Sequence, residues 1–358
     1  MTERSRQSSR VVVFGPFIGE FGWELLFWHG VVRRLCQSEF KHDYRVAVSR
    51  PGYEAFYPTV DRFVAIPSEL LPINFSAKGY ICDGWIDGYP GFPGEFRYFD
   101  RGNLLRLARG KMPIPMQQTI RWDGPSIKTL IADYCNELRR EFGAESIFVT
   151  PFQINEIGGL RFGVDTQRKP RDLDNARAVL PPFSDQTLEY LRPASENATR
   201  WAESTLGDIE SLVVVFPRLR SFRRPVRNWT REKYLHLIHL LRSCGHTVAL
   251  LGEPSGAHFS GEDIDGCVNL IDVEPSARLD RQLATLQRAQ FAVGALSGSL
   301  LVALATGTPS VVFGVHDQEL RLYRENYMNT PLSYVADQDP EPEDLWYAIQ
   351  NFTSILKR

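Results

Sequence analysis

The chain has 358 residues, 43% of them hydrophobic and 23% charged, and 41 Lys and Arg face 43 Asp and Glu for a formal net charge of -2. A chain of this length suits two domains, each with a core of its own. The charge balance excludes a protein that is basic overall, so nucleic-acid contact would need a local patch. The opening MTERSRQSSR is polar and lacks the apolar centre of a signal peptide. RVVVF, ending at Phe14, reads as a buried strand, and the glycine-rich GPFIGEFGWELLFWHG that follows leads into a helix expected over residues 23–36. YRVAVS from Tyr44 and DRFVAIP from Asp61 are the next strands. This strand–helix–strand rhythm predicts a parallel, doubly wound sheet. Residues 75–100 break it with a loop-like run of glycines and aromatics, and SIFVTPF from Ser146 resumes it. Residues 159–193 are polar and proline-bearing, which predicts a long excursion or linker.

The alternation then begins afresh. SLVVVFP from Ser211 is a strand, and TREKYLHLIHLLRSCG is an amphipathic helix with Thr230 as N-cap and Gly245 as its stop. HTVALLG, VNLIDV, FAVGAL and PSVVFG are further strands, SARLDRQLATLQRA and SLLVALATG are helices, and PEDLWYAIQNFTSILKR is a terminal amphipathic helix. Two similar α/β halves joined near residue 200 follow from this. Cys36, Cys82, Cys135, Cys244 and Cys267 are scattered, odd in number and without CxxC spacing, which predicts reduced thiols and a cytoplasmic location. No apolar run approaches the length of a membrane span, so stable membrane insertion is not expected.

Three stretches of the second half carry chemistry. In ALSGSLLVALATG, Ser297, Gly298 and Ser299 sit between a strand and a helix, where backbone N–H groups and the positive helix end suit a phosphate. The competing role is an ordinary turn with a serine cap. PRLRSFRRPVRNW places Arg218, Arg220, Arg223, Arg224 and Arg227 after a strand's carboxyl end, the edge at which open α/β sheets bind ligands. Arginines there can neutralise a diphosphate, or simply form a solvated basic loop. LLGEPSG ends a strand at Gly252 and continues with Glu253. Other motifs carry less. His236 and His239 share a helix with no third metal ligand beside them, and the Asp263–Ile264–Asp265 stretch lies in a polar loop. The sequence holds no Ser–His–Asp motif, P-loop lysine or zinc cluster, and no metal site is expected.

The order strand, basic loop, W…Y…L…L…G, strand ending in glycine, SG opening a helix and TGTPSVVFG resembles the nucleotide-sugar half of GT-B glycosyltransferases, closest to glycosyltransferase family 9, the heptosyltransferase-like enzymes. The resemblance covers roughly residues 211–314 and the opening GPFIGE. It implies two Rossmann-like domains facing a cleft: residues 1–200 for the acceptor, 201–335 for the nucleotide sugar, and a terminal helix over 336–358 crossing back to the first domain. It implies inverting, metal-independent transfer from a nucleotide-diphosphate sugar, used as co-substrate without a cofactor, to a glycan or lipid-linked acceptor. The same chemistry on a hydroxymethylated DNA base, and a GT-B-fold epimerase or non-catalytic binder, remain alternatives. Arg227 matches the family's basic phosphate ligand, with Arg218 next and Arg224 in the same loop, while Gly252 and Glu253 match the turn lining base and ribose. Glu20 occupies the place of the catalytic acid in the family's GD pair, and Glu24, four residues on, is the other candidate base or a loop-orienting carboxylate. Trp23 and Trp28 are expected in the core. Gly19 and Phe21, with Trp85 and Tyr89 of the aromatic run, fall on the acceptor side. One departure stands out: the aspartate that family members often carry before the serine–glycine pair is Leu296 here, which argues against a heptose donor. The sequence carries no signal for an oligomeric state.

Overall fold

The computed structural model describes residues 10–18, 21–71, 85–86, 96–97, 108, 116–117, 120–121, 127–149, 187, 189–219, 228–314, 329–337 and 339–356. The chain divides into two compact units, Met1–Pro51 with Thr59–Thr187, and Gly52–Pro58 with Leu188–Arg358. The division thus falls near residue 188 rather than 200, and the short segment 52–58 groups with the second unit.

The first unit is built on four parallel strands, β1 (Val11–Phe14), β2 (Tyr44–Ser49), β3 (Arg62–Ala65) and β4 (Ile147–Val149), in the order β3-β2-β1-β4. Val12, Val13, Phe14, Val46, Val48 and Phe148 are fully buried, as β-branched and aromatic side chains of a covered parallel sheet should be. A short turn of helix, Phe21–Trp23, widens to a π-helix over Glu24–Trp28 and tightens again as α1, His29–Gln37. The expected helix is therefore present, with a π segment that its apolar periodicity does not announce. Helix α2, Ile127–Phe142, was not anticipated; Tyr134, Cys135 and Leu138 bury one face of it. In the aromatic run, Trp85–Ile86 pairs antiparallel with Ile120–Arg121, and Phe96–Arg97 with Met116–Gln117. These residues are thus short strands rather than loop.

Gly15 leaves β1 at φ 116°, and a Cβ there would collide with the Val48 carbonyl oxygen and lie 2.9 Å from the Phe17 nitrogen. Only glycine fits, because the conformation and the collision both exclude a side chain. Gly15→Ala is expected to lower stability by at least the roughly 1–3 kcal/mol of a strained backbone. Urea unfolding of the two proteins checks this, and equal midpoints would contradict it.

The second unit contains α3 (Glu196–Leu206), β5 (Leu212–Phe216), α4 (Arg231–Ser243), β6 (Thr247–Leu250), β7 (Cys267–Asn269), α5 (Pro275–Arg288), β8 (Phe291–Ala295), α6 (Gly298–Ala305), β9 (Ser310–Phe313), β10 (Leu332–Val335) and α7 (Pro342–Leu356). Its six strands are all parallel, in the order β7-β6-β5-β8-β9-β10. Thr230 caps α4 by accepting the Lys233 N–H at 3.3 Å, and Gly245 follows it at φ 85°, as expected. Strands β7 and β6 are shorter than the apolar runs that predict them. Helix α3 and strand β10 were missed.

The terminal helix, expected to cross back to the first half, commits its buried face to the second unit. Leu345, Ile349 and Phe352 join Tyr234, Leu237 and Phe313 in its core. Among the described residues, no helix is long and apolar enough to cross a membrane.

Candidate functional site

Numbered within the second unit, its strand order is 3-2-1-4-5-6. The strand order reverses between β5 and β8, the position at which such sheets bind ligands beyond the strand carboxyl ends. Both predicted phosphate elements leave the sheet there. Phe216, last in β5, pairs with Gly294 of β8. Two residues beyond each lie Arg218 and Leu296.

Ser297 caps α6, its hydroxyl accepting the Leu300 N–H at 3.3 Å. That hydroxyl is therefore committed to the helix, and the anion-binding capacity comes from the first-turn N–H groups of Gly298 and Ser299, which have no acceptor within the helix. All three residues are half-buried, open enough for a ligand to reach.

Arg218 is only 6% exposed. Its Nη1 donates to Asn228 Oδ1 at 2.6 Å, and its backbone N–H donates to the Tyr234 hydroxyl at 3.1 Å. Arg218 and Asn228 thus join the two ends of the basic stretch. Arg220, Arg223, Arg224 and Arg227 lie outside the described residues. Burial raises the Tyr234 hydroxyl's pKa, so it stays protonated.

The turn after β6 is tied to the exit of β5. Leu219 N donates to Gly256 O at 2.8 Å and His258 N to Pro217 O at 2.7 Å. His258 Nε2 lies 3.1 Å from Trp229 O, and burial holds its pKa below the usual histidine value. Gly252 is buried and Glu253 is exposed on this turn. The structure therefore gathers Arg218, Gly252, Glu253, Ser297, Gly298 and Ser299 at the carboxyl ends of β5, β6 and β8. Asn228, Tyr234 and Gln282, which also build the site, were not singled out from sequence.

In the first unit, residues 15–18 fold back over the strand ends. Gly15 N donates to Val149 O and Phe17 N to Val48 O, both at 2.9 Å. Arg50 reaches from the end of β2 to the carbonyls of Ile18 at 3.3 Å and Leu71 at 3.0 Å. Glu24 is fully buried and accepts a hydrogen bond from the Ser49 hydroxyl. Its carboxylate is covered, so in this arrangement it holds the helix start to β2 and is not presented to a substrate. Val48 and Arg50 hold the backbone at Phe17 and Ile18, and Ser49 between them holds the Glu24 side chain, on either side of Gly19 and Glu20, which lie outside the described residues. Ser49 and Arg50 were legible only as a polar pair closing an apolar strand.

Phe21 is half-buried at the helix start. Trp28 is fully buried and stacks on Phe17 with ring centroids 6.3 Å apart, the core role expected of it. His29 lies beneath, with Nδ1 3.2 Å from the Glu24 carbonyl. Burial, and secondarily the Arg33 charge, lower its pKa to about 4, so it is neutral near pH 7. Trp85 lies in one of the short strands and Tyr89 outside the described residues.

No protein-family model matches this chain, and no curated protein matches it in sequence. Solved structures do match. The glycosyl transferase family 9 protein from Veillonella parvula DSM 2008 is 12% identical, with 97% of each chain covered and a TM-score of 0.52. The E. coli ADP-heptose LPS heptosyltransferase II is 11% identical over 98% of this chain and 100% of that one, with a TM-score of 0.54. The E. coli heptosyltransferase WaaC with ADP is 14% identical over 96% and 99%, with a TM-score of 0.51. At such identities the likeness is one of fold: the chain has the two-unit, Rossmann-like GT-B fold of these proteins.

Proposed function

We propose that the protein is a glycosyltransferase that moves a sugar from a nucleotide-diphosphate donor to a hydroxyl of a glycan or lipid-linked acceptor. The observation that carries this reading is the switch point of the second unit, where an exposed carboxylate, the start of a capped helix and both ends of an arginine-rich stretch meet at adjacent strand ends. Solved proteins of the same fold are named as heptosyltransferases, two of them with ADP or ADP-heptose in their names. Backbone N–H groups at α6 and the arginines between 218 and 228 would hold the diphosphate and stabilise it as it leaves.

In the first unit, Glu20 would take the acceptor proton as the new bond forms, and a single displacement of this kind inverts the sugar carbon. With arginines and helix N–H groups carrying the positive charge, the transfer would call on no metal. Glu24 would act through its grip on Ser49 as a positioning residue. Leu296, in place of an aspartate, favours a donor sugar other than a heptose.

Arg227→Ala is expected to weaken nucleoside diphosphate binding about tenfold to a hundredfold, the loss of one charge-assisted hydrogen bond. Unchanged affinity in calorimetry on the folded variant would remove Arg227 from the site. The reaction itself is tested by mass spectrometry of nucleotide sugars incubated with glycan, lipid-linked or hydroxymethylated DNA acceptors. Release of nucleoside diphosphate with a glycan or lipid-linked acceptor supports the proposal, and release only with DNA changes the acceptor. Release or epimerisation without any acceptor refutes transfer.

A further inference from the structure

We infer that the start of α7 regulates the nucleotide site of the second unit: Trp229 ties Pro340 to the arginine-rich stretch, so that nucleoside diphosphate binding and the seating of α7 favour each other. This rests on the nucleotide site proposed above. Trp229 is 1% exposed and follows Asn228 at the close of that stretch. A buried indole N–H needs an acceptor. Here Nε1 donates to the Pro340 carbonyl at 2.9 Å, 111 residues away in the chain.

The α7 side of this link is stiff. Residues 339–342 are Asp339, Pro340, Glu341 and Pro342, and the two proline rings fix φ at their positions. Lys233, in the first turn of α4, clasps the same residues. Its Nζ donates to Asp339 Oδ1 at 2.9 Å and to the Asp339 and Pro340 carbonyls at 3.3 Å each, and pairs with Glu341 Oε1 at 3.0 Å. The Glu341 carbonyl then accepts the Leu345 N–H at 3.1 Å. A shift at Pro340 is therefore carried into α7, whose Leu345, Ile349 and Phe352 share one core with Trp229.

The other side of the link reaches the site. Asn228, covalently next to Trp229, accepts from Arg218 Nη1 at 2.6 Å. The Trp229 ring meets Tyr234 edge-on with centroids 5.2 Å apart, and the Tyr234 hydroxyl accepts the Arg218 backbone N–H at 3.1 Å. The Trp229 carbonyl lies 3.1 Å from His258 Nε2, on the turn tied to the exit of β5. Arg218 is thus held by two neighbours of Trp229, one along the chain and one in space. Two states follow: α7 seated with the Trp229–Pro340 bond made, and α7 lifted by local opening with that bond broken. A nucleoside diphosphate that needs Arg218 and its stretch in place binds the seated state better, and by linkage its binding holds α7 down. Lifting of α7 is then a route to nucleotide release.

The test follows amide hydrogen exchange of α7 in the full chain, free and saturated with whichever of ADP, UDP, GDP and CDP binds. In wild type, the bound nucleotide should slow exchange across residues 342–356 about fivefold or more, one N–H···O hydrogen bond. Trp229→Phe keeps a buried ring and lacks the N–H. It should still bind the nucleotide, more weakly, and the slowing in α7 should vanish. Where that variant does not fold, Lys233→Met carries the test. It unclasps residues 339–341 and leaves the indole bond, so α7 should exchange faster in the free protein and be slowed again by nucleotide. A merely structural Trp229 would lower stability and leave the nucleotide's effect on α7 as in wild type, which overturns the coupling. So does a nucleotide that binds wild type with no change in α7, or an α7 of Lys233→Met that stays fast with nucleotide bound. Wild type that binds none of the four overturns the nucleotide site itself, and the coupling with it.

Discussion

Glu20→Gln is expected to lower turnover by about 10²–10⁴-fold, the usual contribution of a positioned general base. Nucleotide affinity and melting temperature should stay near wild type, because the amide keeps the size of the side chain and loses only its basicity. The expectation rests on what flanks Glu20. Ile18 is held through its carbonyl by Arg50, and Glu24 through its carboxylate by Ser49. A side chain between two anchored points can be aimed reproducibly, which proton transfer requires. Glu24→Gln is the control. It replaces the carboxyl group that meets Ser49 with an amide and should act on stability, with a smaller effect on turnover of the folded protein. If Glu24→Gln abolishes turnover and Glu20→Gln spares it, the two roles are exchanged. His29 is not a substitute base, since it is 1% exposed and its pKa lies far below neutrality. If neither glutamate matters, Asp83 and Asp87 of the aromatic run are the next carboxylates to replace.

His29 gives the second large effect, on stability rather than rate. Its pKa falls from the ordinary 6.5 to about 4 in the folded chain, chiefly by burial and then by the Arg33 charge. The folded state therefore favours the neutral ring. Stability from this residue is fully present above about pH 6.5 and is lost as pH falls towards 4, at about 1.4 kcal/mol per pH unit and about 3 kcal/mol in all. Urea unfolding at pH 6.5, 5.5 and 5.0 should show this slope in wild type. His29→Gln should flatten it, because the variant has no ring to protonate. An equal slope in both proteins would place the pH dependence elsewhere.

The second unit was the more legible half because its signals are local. Thr230 and Gly245 bracket α4, Ser297 caps α6, and Val213 to Val215 can only be a covered strand. Each element follows from a few adjacent residues whose propensity and packing agree. Helix α3 escaped because Glu196–Leu206 spans the junction read near residue 200. Strand β10, Leu332–Val335, has a half-exposed, mixed pattern that reads equally well as loop.

The site was legible only where chemistry follows strand ends. Ser297, Gly298, Arg218 and Glu253 were found because each comes directly after a strand, where open sheets bind ligands. What they do there was not. Arg218 is buried against Asn228, and Glu24 lies under Ser49, a partner 25 residues away that no helical spacing predicts. Gln282 gave no signal, since one polar residue on an apolar face carries no mark of the carbonyl it meets 30 residues away.

On the proposed function, the second unit binds a sugar nucleotide at the carboxyl ends of β5, β6 and β8. Calorimetric titration of the intact protein with ADP-, UDP-, GDP-, CDP- and dTDP-sugars measures it directly. One-to-one binding of at least one of the five is expected, with a matching rise in melting temperature, because a ligand bound only by the native state stabilises that state. Absence of both heat and thermal shift across all five, in protein shown to be folded, would contradict it.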